Sequence, residues 1–341
     1  MDIRMPAEWE PQSGILLAWP HKDTDWNYML QEVEDCFKRI AEAIVDDATL
    51  AVVTPDVRHV KSQLAHLDQS RIRYYEIPTN DTWARDFGAI TVIVGGVPKL
   101  VDFKFNAWGL KFAANFDNLI NSSLSKSGAF NYSLKNRLNF VLEGGSIESD
   151  GKGCILTTEN CLLSPNRNGE FSKQDIEKVL MQELGAKKIL WLSSGELEGD
   201  DTDSHIDTLA RFAPDNTIIY VGCDDVNDVH YVPLKRMEDE LSAMSNFNEE
   251  KFTLKKLPMP DAIYDEEGLR LPATYANFLI MNHQVLVPIY NQPENDSKAL
   301  AVIGSAFPGR KIVGIDCNAL IKQHGSLHCV TMQFPKNVIK I

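Results

Sequence analysis

Apolar residues recur every three or four positions in several stretches of the chain, which is the spacing of an amphipathic helix. The clearest case is residues 27–47, with one apolar face formed by Leu30, Val33, Phe37, Ile40 and Ile44. Residues 172–184 repeat the pattern, with Ser172 as the predicted N-cap and Gly185 as the predicted stop. Less distinct helices are predicted near 57–67, 116–126, 233–245 and 296–306.

Short apolar or alternating runs separate these helices and predict strands. They cover residues 15–19, 90–94, 99–105, 154–157, 217–221, 278–281, 285–289, 312–315 and 327–333. Helices and strands therefore interleave, which predicts an α/β fold. No Pro/Gly/Ser-rich linker divides the sequence, so we expect a single domain over residues 1–341.

Polar motifs interrupt the apolar pattern at intervals of roughly 50 to 70 residues. They are centred on Asp86, Glu143, His205, the pair Tyr275 and Asn277, and Cys329. Each interval holds strands and usually a helix. The spacing predicts a degenerate structural repeat whose units place residues near a common axis.

The segment HGSLHCVTMQFP contains Cys329, a candidate nucleophile. The ordinary alternative for a free cysteine in a strand is a place in the hydrophobic core. If 327–333 is a strand, Cys329 and His328 point to opposite sides. We therefore expect His328 to pack or bond locally and not to activate the thiol.

The segment GDDTDSHIDTLARF contains His205 and Asp207, which would share one face of a strand. A histidine and a carboxylate on one face suit acid–base catalysis or cation binding. Asp203, His205 and Asp207 also form a D-x-H-x-D pattern that a metal could use. A solvated acidic turn before a strand is the third interpretation.

Two further segments combine polar and aromatic residues with glycine. NDTWARDFG (80–88) has no helical or strand periodicity, so Trp83 and Asp86 are expected on a loop of the kind that often forms a site. A surface pair of Arg85 with Asp86 is the alternative. In VLEGGSIESDG, the glycines after Glu143 would allow close approach of backbone or ligand, or simply form a turn.

The composition is that of a globular protein, with 44% hydrophobic and 24% charged residues. Its net charge of −14 disfavours nucleic acid and anionic membranes as partners. The six cysteines form no C-x-x-C pair, and we see neither a signal peptide nor an apolar run long enough to span a bilayer. A cytoplasmic location is expected. No nucleotide-binding or zinc motif occurs, so no cofactor or metal is predicted.

Taken in order, eight motifs resemble the agmatine deiminase/bacterial (Porphyromonas-type) peptidylarginine deiminase family. They run through nearly the whole chain as MPAEWEPQSGILLAWP, NDTWARDFG, FNAWG, LEGGSIESDGKG, CLLSPNRN, DDTDSHIDTLARF, LPATYANFLIMN…VLVPIYN and HGSLHCVTMQFP. The resemblance implies the pentein fold of the guanidine-modifying superfamily, a five-bladed pseudo-symmetric α/β propeller. It also implies hydrolysis of a guanidine without a metal.

The resemblance implies roles for seven residues. Cys329 would be the nucleophile, His205 the acid–base, and Asp86, Glu143 and Asp207 the carboxylates that hold the guanidinium, with Trp83 and Trp108 also contacting substrate. The expected reaction converts agmatine and water to N-carbamoylputrescine and ammonia, a step of putrescine and polyamine biosynthesis. Peptidyl or free arginine is the nearest alternative substrate. A metal-dependent hydrolase, a non-catalytic binding protein of the same fold, and a homo-oligomeric state stay open.

Three departures from the family pattern bear on the substrate's tail. Many agmatine deiminases read GGGNIHC where this chain has QHGSLHC, and FNAWGG where it has FNAWGL. A histidine that often follows EGGSI is Glu148 here.

Overall fold

A computed structural model describes residues 2–340 of the chain. Its strands are β1 (Ile3–Arg4), β2 (Gln12–Ala18), β3 (Thr49–Thr54), β4 (Ile72–Glu76), β5 (Ile90–Val94), β6 (Val97–Lys104), β7 (Leu134–Val141), β8 (Ile147–Ser149), β9 (Cys154–Thr158), β10 (Lys188–Leu192), β11 (Ala210–Ala213), β12 (Thr217–Val221), β13 (Thr253–Leu257), β14 (Leu279–Ile280), β15 (Gln284–Ile289), β16 (Lys311–Asp316) and β17 (Thr331–Pro335).

The α-helices are α1 (Leu30–Asp47), α2 (Val57–Gln63), α3 (Ala84–Phe87), α4 (Ala107–Leu110), α5 (Ile120–Lys126), α6 (Glu159–Leu162), α7 (Pro165–Asn168), α8 (Lys173–Leu184), α9 (Tyr231–Ala243), α10 (Pro293–Ala306) and α11 (Asn318–Ile321). Short 3₁₀ turns cover Asn27–Met29, Gln69–Arg71, Asp117–Leu119, Gly144–Ser146 and Ile206–Thr208. No helix within residues 2–340 is both long and apolar enough to cross a membrane.

The strands form five small sheets, with the orders β17-β2-β3-β4, β1-β5-β6-β7, β10-β9-β8, β11-β12-β13 and β14-β15-β16. Every sheet contains the same unit, in which a central strand pairs antiparallel with one neighbour and parallel with the other. A parallel pair needs a crossover connection, and helices lie in these connections. Five repeats of one unit confirm the predicted α/β propeller.

The hydrophobic core lies between the sheets and the helices outside them. All residues of β2 and β3 are buried. Helix α1 contacts β3 and β16, and Val33, Phe37 and Ile40 of its apolar face are buried. These contacts explain why a spacing of three and four residues predicted this helix correctly.

The second clear helix prediction is confirmed at both ends. The Ser172 side chain accepts a hydrogen bond from the Asp175 backbone N–H, and Asp175 bonds back to Ser172, which is a capping box. The helix ends at Gly185, whose φ of 72° is in the left-handed region that glycine adopts readily.

The predicted repeat is confirmed in a specific form. Each polar motif lies two to four residues before the first strand of an antiparallel pair: Asp86 before β5, Glu143 before β8, Asp207 before β11, Asn277 before β14 and Cys329 before β17. Equivalent positions in the five units therefore meet at the centre of the propeller. The single-domain assignment stays a prediction.

Candidate active site

The Cys329 segment is a turn, so the predicted strand over 327–333 is wrong for residues 327–330. The strand β17 begins only at Thr331. The Asn277 side-chain oxygen accepts hydrogen bonds from the backbone N–H groups of His328 and Cys329, at 2.8 and 3.3 Å. Because these N–H groups bond to Asn277, they are not available to a sheet ladder.

The Cys329 thiol is buried among acceptors and acids. Its Sγ lies 3.4 Å from Asn277 Oδ1 and 3.9 Å from Asp207 Oδ2. Burial, and then the negative charges of Asp207 and Asp86, raise the pKa of the Cys329 thiol well above its usual value. The thiol is therefore protonated at neutral pH until a positive charge enters the site.

Asp86 lies in the single turn of α3, and two donors orient its carboxylate. Its Oδ1 accepts from the Gly145 backbone N–H at 3.0 Å, and its Oδ2 accepts from the Trp108 indole at 2.9 Å. Burial raises the pKa of Asp86 to about 6, despite the nearby His205. A bound cation would favour the ionised form.

Trp108, which donates to Asp86, lies in a segment with a strained backbone. The φ angles of Ala107, Trp108 and Leu110 are 50°, 55° and 68°, in the left-handed region that non-glycine residues seldom adopt. Strain of this kind costs on the order of 1–3 kcal/mol per residue and persists where surrounding contacts fix it. The indole bond to Asp86 is one such contact.

His205 lies just before the 3₁₀ turn Ile206–Thr208, so the predicted strand through His205 and Asp207 is wrong. Its backbone N–H bonds to Thr202 Oγ1, which belongs to the preceding bend. The ring is fully buried, its Nδ1 lies 3.6 Å from Asp86 Oδ1, and neither ring nitrogen has a hydrogen-bond partner. Buried polar atoms without partners are costly, so this ring is suited to bond a ligand.

The electrostatic surroundings make His205 a cation. Burial lowers its pKa, but the negative charge of Asp86 and the neighbouring Cys161 and Glu143 outweigh this effect. The net result is a His205 pKa well above its usual value. His205 can therefore donate a proton to a reacting group at neutral pH.

One oxygen of the Asp207 carboxylate has a hydrogen-bond partner within the described residues and the other has none. Its Oδ2 bonds to His328 Nδ1 at 2.7 Å, and its buried Oδ1 has no hydrogen-bond partner. Burial raises the pKa of Asp207, but the His328 hydrogen bond and the charges of His328 and His205 lower it below the usual range. The carboxylate is therefore ionised at neutral pH.

Gly145 lies between Asp86, His205 and Asp207. A Cβ at this position would lie 2.7 Å from Asp86 Oδ1, 2.7 Å from His205 Nδ1 and 3.1 Å from Asp207 Oδ2. The three polar groups thus converge on the same small space above the glycine. Only a residue without a side chain leaves that space empty.

Glu143 lies behind His205 and already has a cationic partner. Arg167 Nε lies 2.8 and 3.0 Å from its two carboxylate oxygens, and both side chains are fully buried. Glu143, Cys161 and His205 each bring one polar atom within 4.8 Å of the others. This contact with Arg167 suits Glu143 to support His205 more than to hold a guanidinium, so its predicted substrate contact stays a prediction.

The D-x-H-x-D pattern does not converge. Asp203 bonds to Arg167 and Lys111, whereas Asp207 bonds to His328. Within residues 2–340, neither group of possible metal ligands unites Asp203 with His205 and Asp207. The arrangement therefore does not support a metal site built on Asp203, His205 and Asp207.

A solvent-open pocket leads to Cys329. Aromatic side chains of Trp83, Trp108 and Phe112 form part of its wall, and Trp83 and Trp108 meet edge to face with ring centroids 6.4 Å apart. Three aspartates beyond Asp86 also line it, namely Asp25, Asp81 and Asp201. No lysine or arginine is among the lining residues, so the pocket suits a positively charged ligand with an apolar chain.

Sequence reasoning missed several residues of the site. Asn277 was noted only as part of a polar-aromatic cluster, and Gly145 only as one of two flexible glycines. Arg167, in CLLSPNRN, drew no attention as a partner of Glu143. The expectation that His328 packs or bonds locally is wrong, because its ring bonds to the distant Asp207 and Glu8.

The comparisons agree with this geometry. The model of the Porphyromonas-type peptidyl-arginine deiminase family matches residues 4–335. A Porphyromonas gingivalis protein, provisionally named an arginine deiminase, is 50% identical, with 99% of this chain and 100% of that one covered and a TM-score of 0.94. A cysteine-to-serine variant of C. jejuni agmatine deiminase with substrate bound is 39% identical, with 98% and 97% covered and a TM-score of 0.93.

A distant structural neighbour shows the same fold. DDAH from Pseudomonas aeruginosa is 12% identical, with 95% of this chain and 100% of that one covered and a TM-score of 0.52. The likeness supports the pentein fold and nothing more specific.

Proposed function

Because the chain belongs to the Porphyromonas-type peptidyl-arginine deiminase family, we propose that it deiminates agmatine through a covalent intermediate on Cys329. The protein is a hydrolase of guanidino carbon–nitrogen bonds, and agmatine is the substrate that its pocket fits best. The observation that carries the proposal is the convergence of Cys329, His205, Asp86 and Asp207, two of which, Asp86 and Cys329, line an acidic pocket.

The guanidinium would lie above Gly145, between Asp86 and Asp207. Both carboxylates can accept charge-assisted hydrogen bonds from its N–H groups. These bonds hold the planar group with its carbon facing Cys329 Sγ. Its positive charge offsets the two carboxylates that raise the thiol pKa, so the substrate helps to ionise its own nucleophile.

The chemistry then takes two steps. Once the thiol has lost its proton to solvent, the thiolate attacks the guanidinium carbon. His205 gives its proton to one amino group, which leaves as ammonia, and a thiouronium forms on Cys329. His205, now neutral, takes a proton from water. The resulting hydroxide attacks the same carbon, which releases the ureido product, N-carbamoylputrescine, and the free thiol.

The charge of the pocket favours agmatine over free arginine. Agmatine carries an ammonium at its far end, whereas arginine carries a carboxylate there as well. The pocket wall offers Asp25, Asp81 and Asp201 and no lysine or arginine. Arg85 and Arg211, which flank site motifs, lie buried with Glu8 instead. A peptidyl arginine lacks the free carboxylate, so it stays the nearer alternative.

Ammonia release from agmatine, free arginine and an end-blocked arginine peptide tests the proposal. We expect agmatine to be turned over with the highest kcat/KM, and Cys329→Ser to abolish the reaction. The matched control is Cys223→Ser, because Cys223 is also buried and free but lies outside the pocket. A wild-type protein that releases ammonia from none of the three substrates, or a fully active Cys329→Ser variant, would refute the proposal.

A further inference from the structure

His328 joins the active site to a second, fully buried cluster of charges. Its Nδ1 lies 2.7 Å from Asp207 Oδ2, and its Nε2 lies 2.7 Å from Glu8 Oε2. Burial opposes ionisation of both acids, yet the pKa of Glu8 and that of Asp207 are lowered. A carboxylate oxygen accepts from a ring N–H at this distance, so His328 connects the Asp207 carboxylate to the Glu8 carboxylate.

Arg211 fixes the far side of this cluster. Its Nη2 donates to Glu8 Oε2 at 2.9 Å, its Nη1 donates to the Phe278 carbonyl at 2.5 Å, and its Nε pairs with Glu148. Nη2 also lies 3.0 Å from His328 Nε2. Both nitrogens lie within hydrogen-bond distance of Glu8 Oε2.

The hydrogen bond from His328 fixes the orientation of the Asp207 carboxylate. Its Oδ2 is taken by His328, which leaves Oδ1 as the oxygen without a partner. Basic and acidic side chains both face Asp207. His328, His205, Arg211 and Arg85 favour its ionisation, whereas Asp86 and the Cys329 thiol disfavour it.

We propose that His328 is a positioning residue for deimination, which orients Asp207 and keeps it ionised by connecting it to the Glu8–Arg211 ion pair. The inference rests on the proposed function, because Asp207 is taken to bind the guanidinium. His328 touches neither the reacting carbon nor the leaving group in this scheme. Its role is to make the Asp207 carboxylate an effective acceptor.

Two substitutions separate this role from simple packing. His328→Leu keeps most of the volume but removes both donors. His328→Asn retains one amide N–H that can reach Asp207 and loses the contact with Glu8. The backbone N–H of residue 328 bonds to Asn277 in either variant, so the Cys329 turn keeps its anchor. His283→Asn is the control, because His283 pairs with Asp47 at an exposed position outside the pocket.

The readout is the affinity for agmatine in the Cys329→Ser background, measured by calorimetry from mildly acidic to mildly alkaline pH. Without His328, burial raises the pKa of Asp207, so protonation competes with agmatine at acidic pH. We expect His328→Leu to weaken binding about 10-fold or more at acidic pH, by the loss of a hydrogen bond to a charged group. The loss should shrink as pH rises, His328→Asn should recover part of it, and His283→Asn should match the parent.

A packing role would lower the melting temperature and weaken binding equally at every pH. That result, or unchanged affinity in His328→Leu, would overturn the inference while leaving the deiminase proposal intact. Failure of the deiminase proposal shows elsewhere, as a wild-type protein that releases no ammonia from any guanidine.

Discussion

Replacing Gly145 by alanine is the most direct test of where the substrate lies. The backbone of Gly145 is outside the left-handed region, so alanine can adopt its conformation. The new methyl group would stand 2.7 Å from Asp86 Oδ1 and from His205 Nδ1, about 0.7 Å inside ordinary contact at 3.4 Å. The side chains of Asp86 and His205, or the backbone at residue 145, must therefore move.

The expected cost is larger for catalysis than for folding. Overpacking of this size destabilises a folded protein by about 1–3 kcal/mol. A displacement of catalytic groups near 1 Å costs about 100-fold in rate, and the methyl group also fills the space that the guanidinium needs. We expect kcat/KM of Gly145→Ala to fall by about 100-fold or more, with a modest loss of unfolding free energy.

The assay is ammonia release from agmatine, with unfolding followed by urea denaturation of the same preparations. Gly304→Ala is the matched control, since Gly304 lies in helix α10 and its Cβ would meet only Ile312, at 3.3 Å. This control should be as active as the wild type, with a change in unfolding free energy within about 1 kcal/mol. A folded Gly145→Ala variant with wild-type kcat/KM would show that the substrate does not use the space above Gly145.

Three further outcomes are expected. Arg167→Met should cost about 3–5 kcal/mol of unfolding free energy in urea, because it leaves the buried Glu143 unpaired. Lys178→Met, at an exposed ion pair, should cost less than about 1 kcal/mol. Equal losses of unfolding free energy in the two variants would contradict this prediction. Burial raises the pKa of Asp81 and Asp117 to about 7 and of Asp86 to about 6, so the folded state holds protons that the unfolded chain releases near pH 4. The unfolding free energy should therefore fall from about pH 4 to about pH 7. A rise over that range in chemical denaturation would count against this prediction. Finally, thiolate absorbance of wild type minus Cys329→Ser should titrate at lower pH with a non-reacting guanidine bound, and an unchanged titration would refute substrate-assisted ionisation.

The sequence predicted the fold class well because the pattern that defines it is local. Apolar spacing predicts helices α1 and α8, and Ser172 and Gly185 mark the ends of α8. Strands such as β7 and β13, where few residues are fully buried, were missed because their alternation is weak. The repeat became visible only through the polar motifs that precede each unit.

The site residues could be nominated from sequence, but their geometry could not. The carboxylate of Glu143 bonds to Arg167, which lies 24 positions further along the sequence. Asp207 depends on His328, which is separated from it by 121 positions. Pairings at such distances follow from the closing of the propeller, and no periodicity within a segment encodes them.

The strand pairing of the first sheet has a consequence for biosynthesis. Strand β17 follows Cys329 and pairs with β2, so the ring of sheets closes through strands from opposite ends of the described residues. A nascent chain can place its acids and imidazole early, but the sulfur arrives after all of them have left the ribosome. The growing polypeptide thus has no catalytic nucleophile until the strand that completes the first sheet has been synthesised.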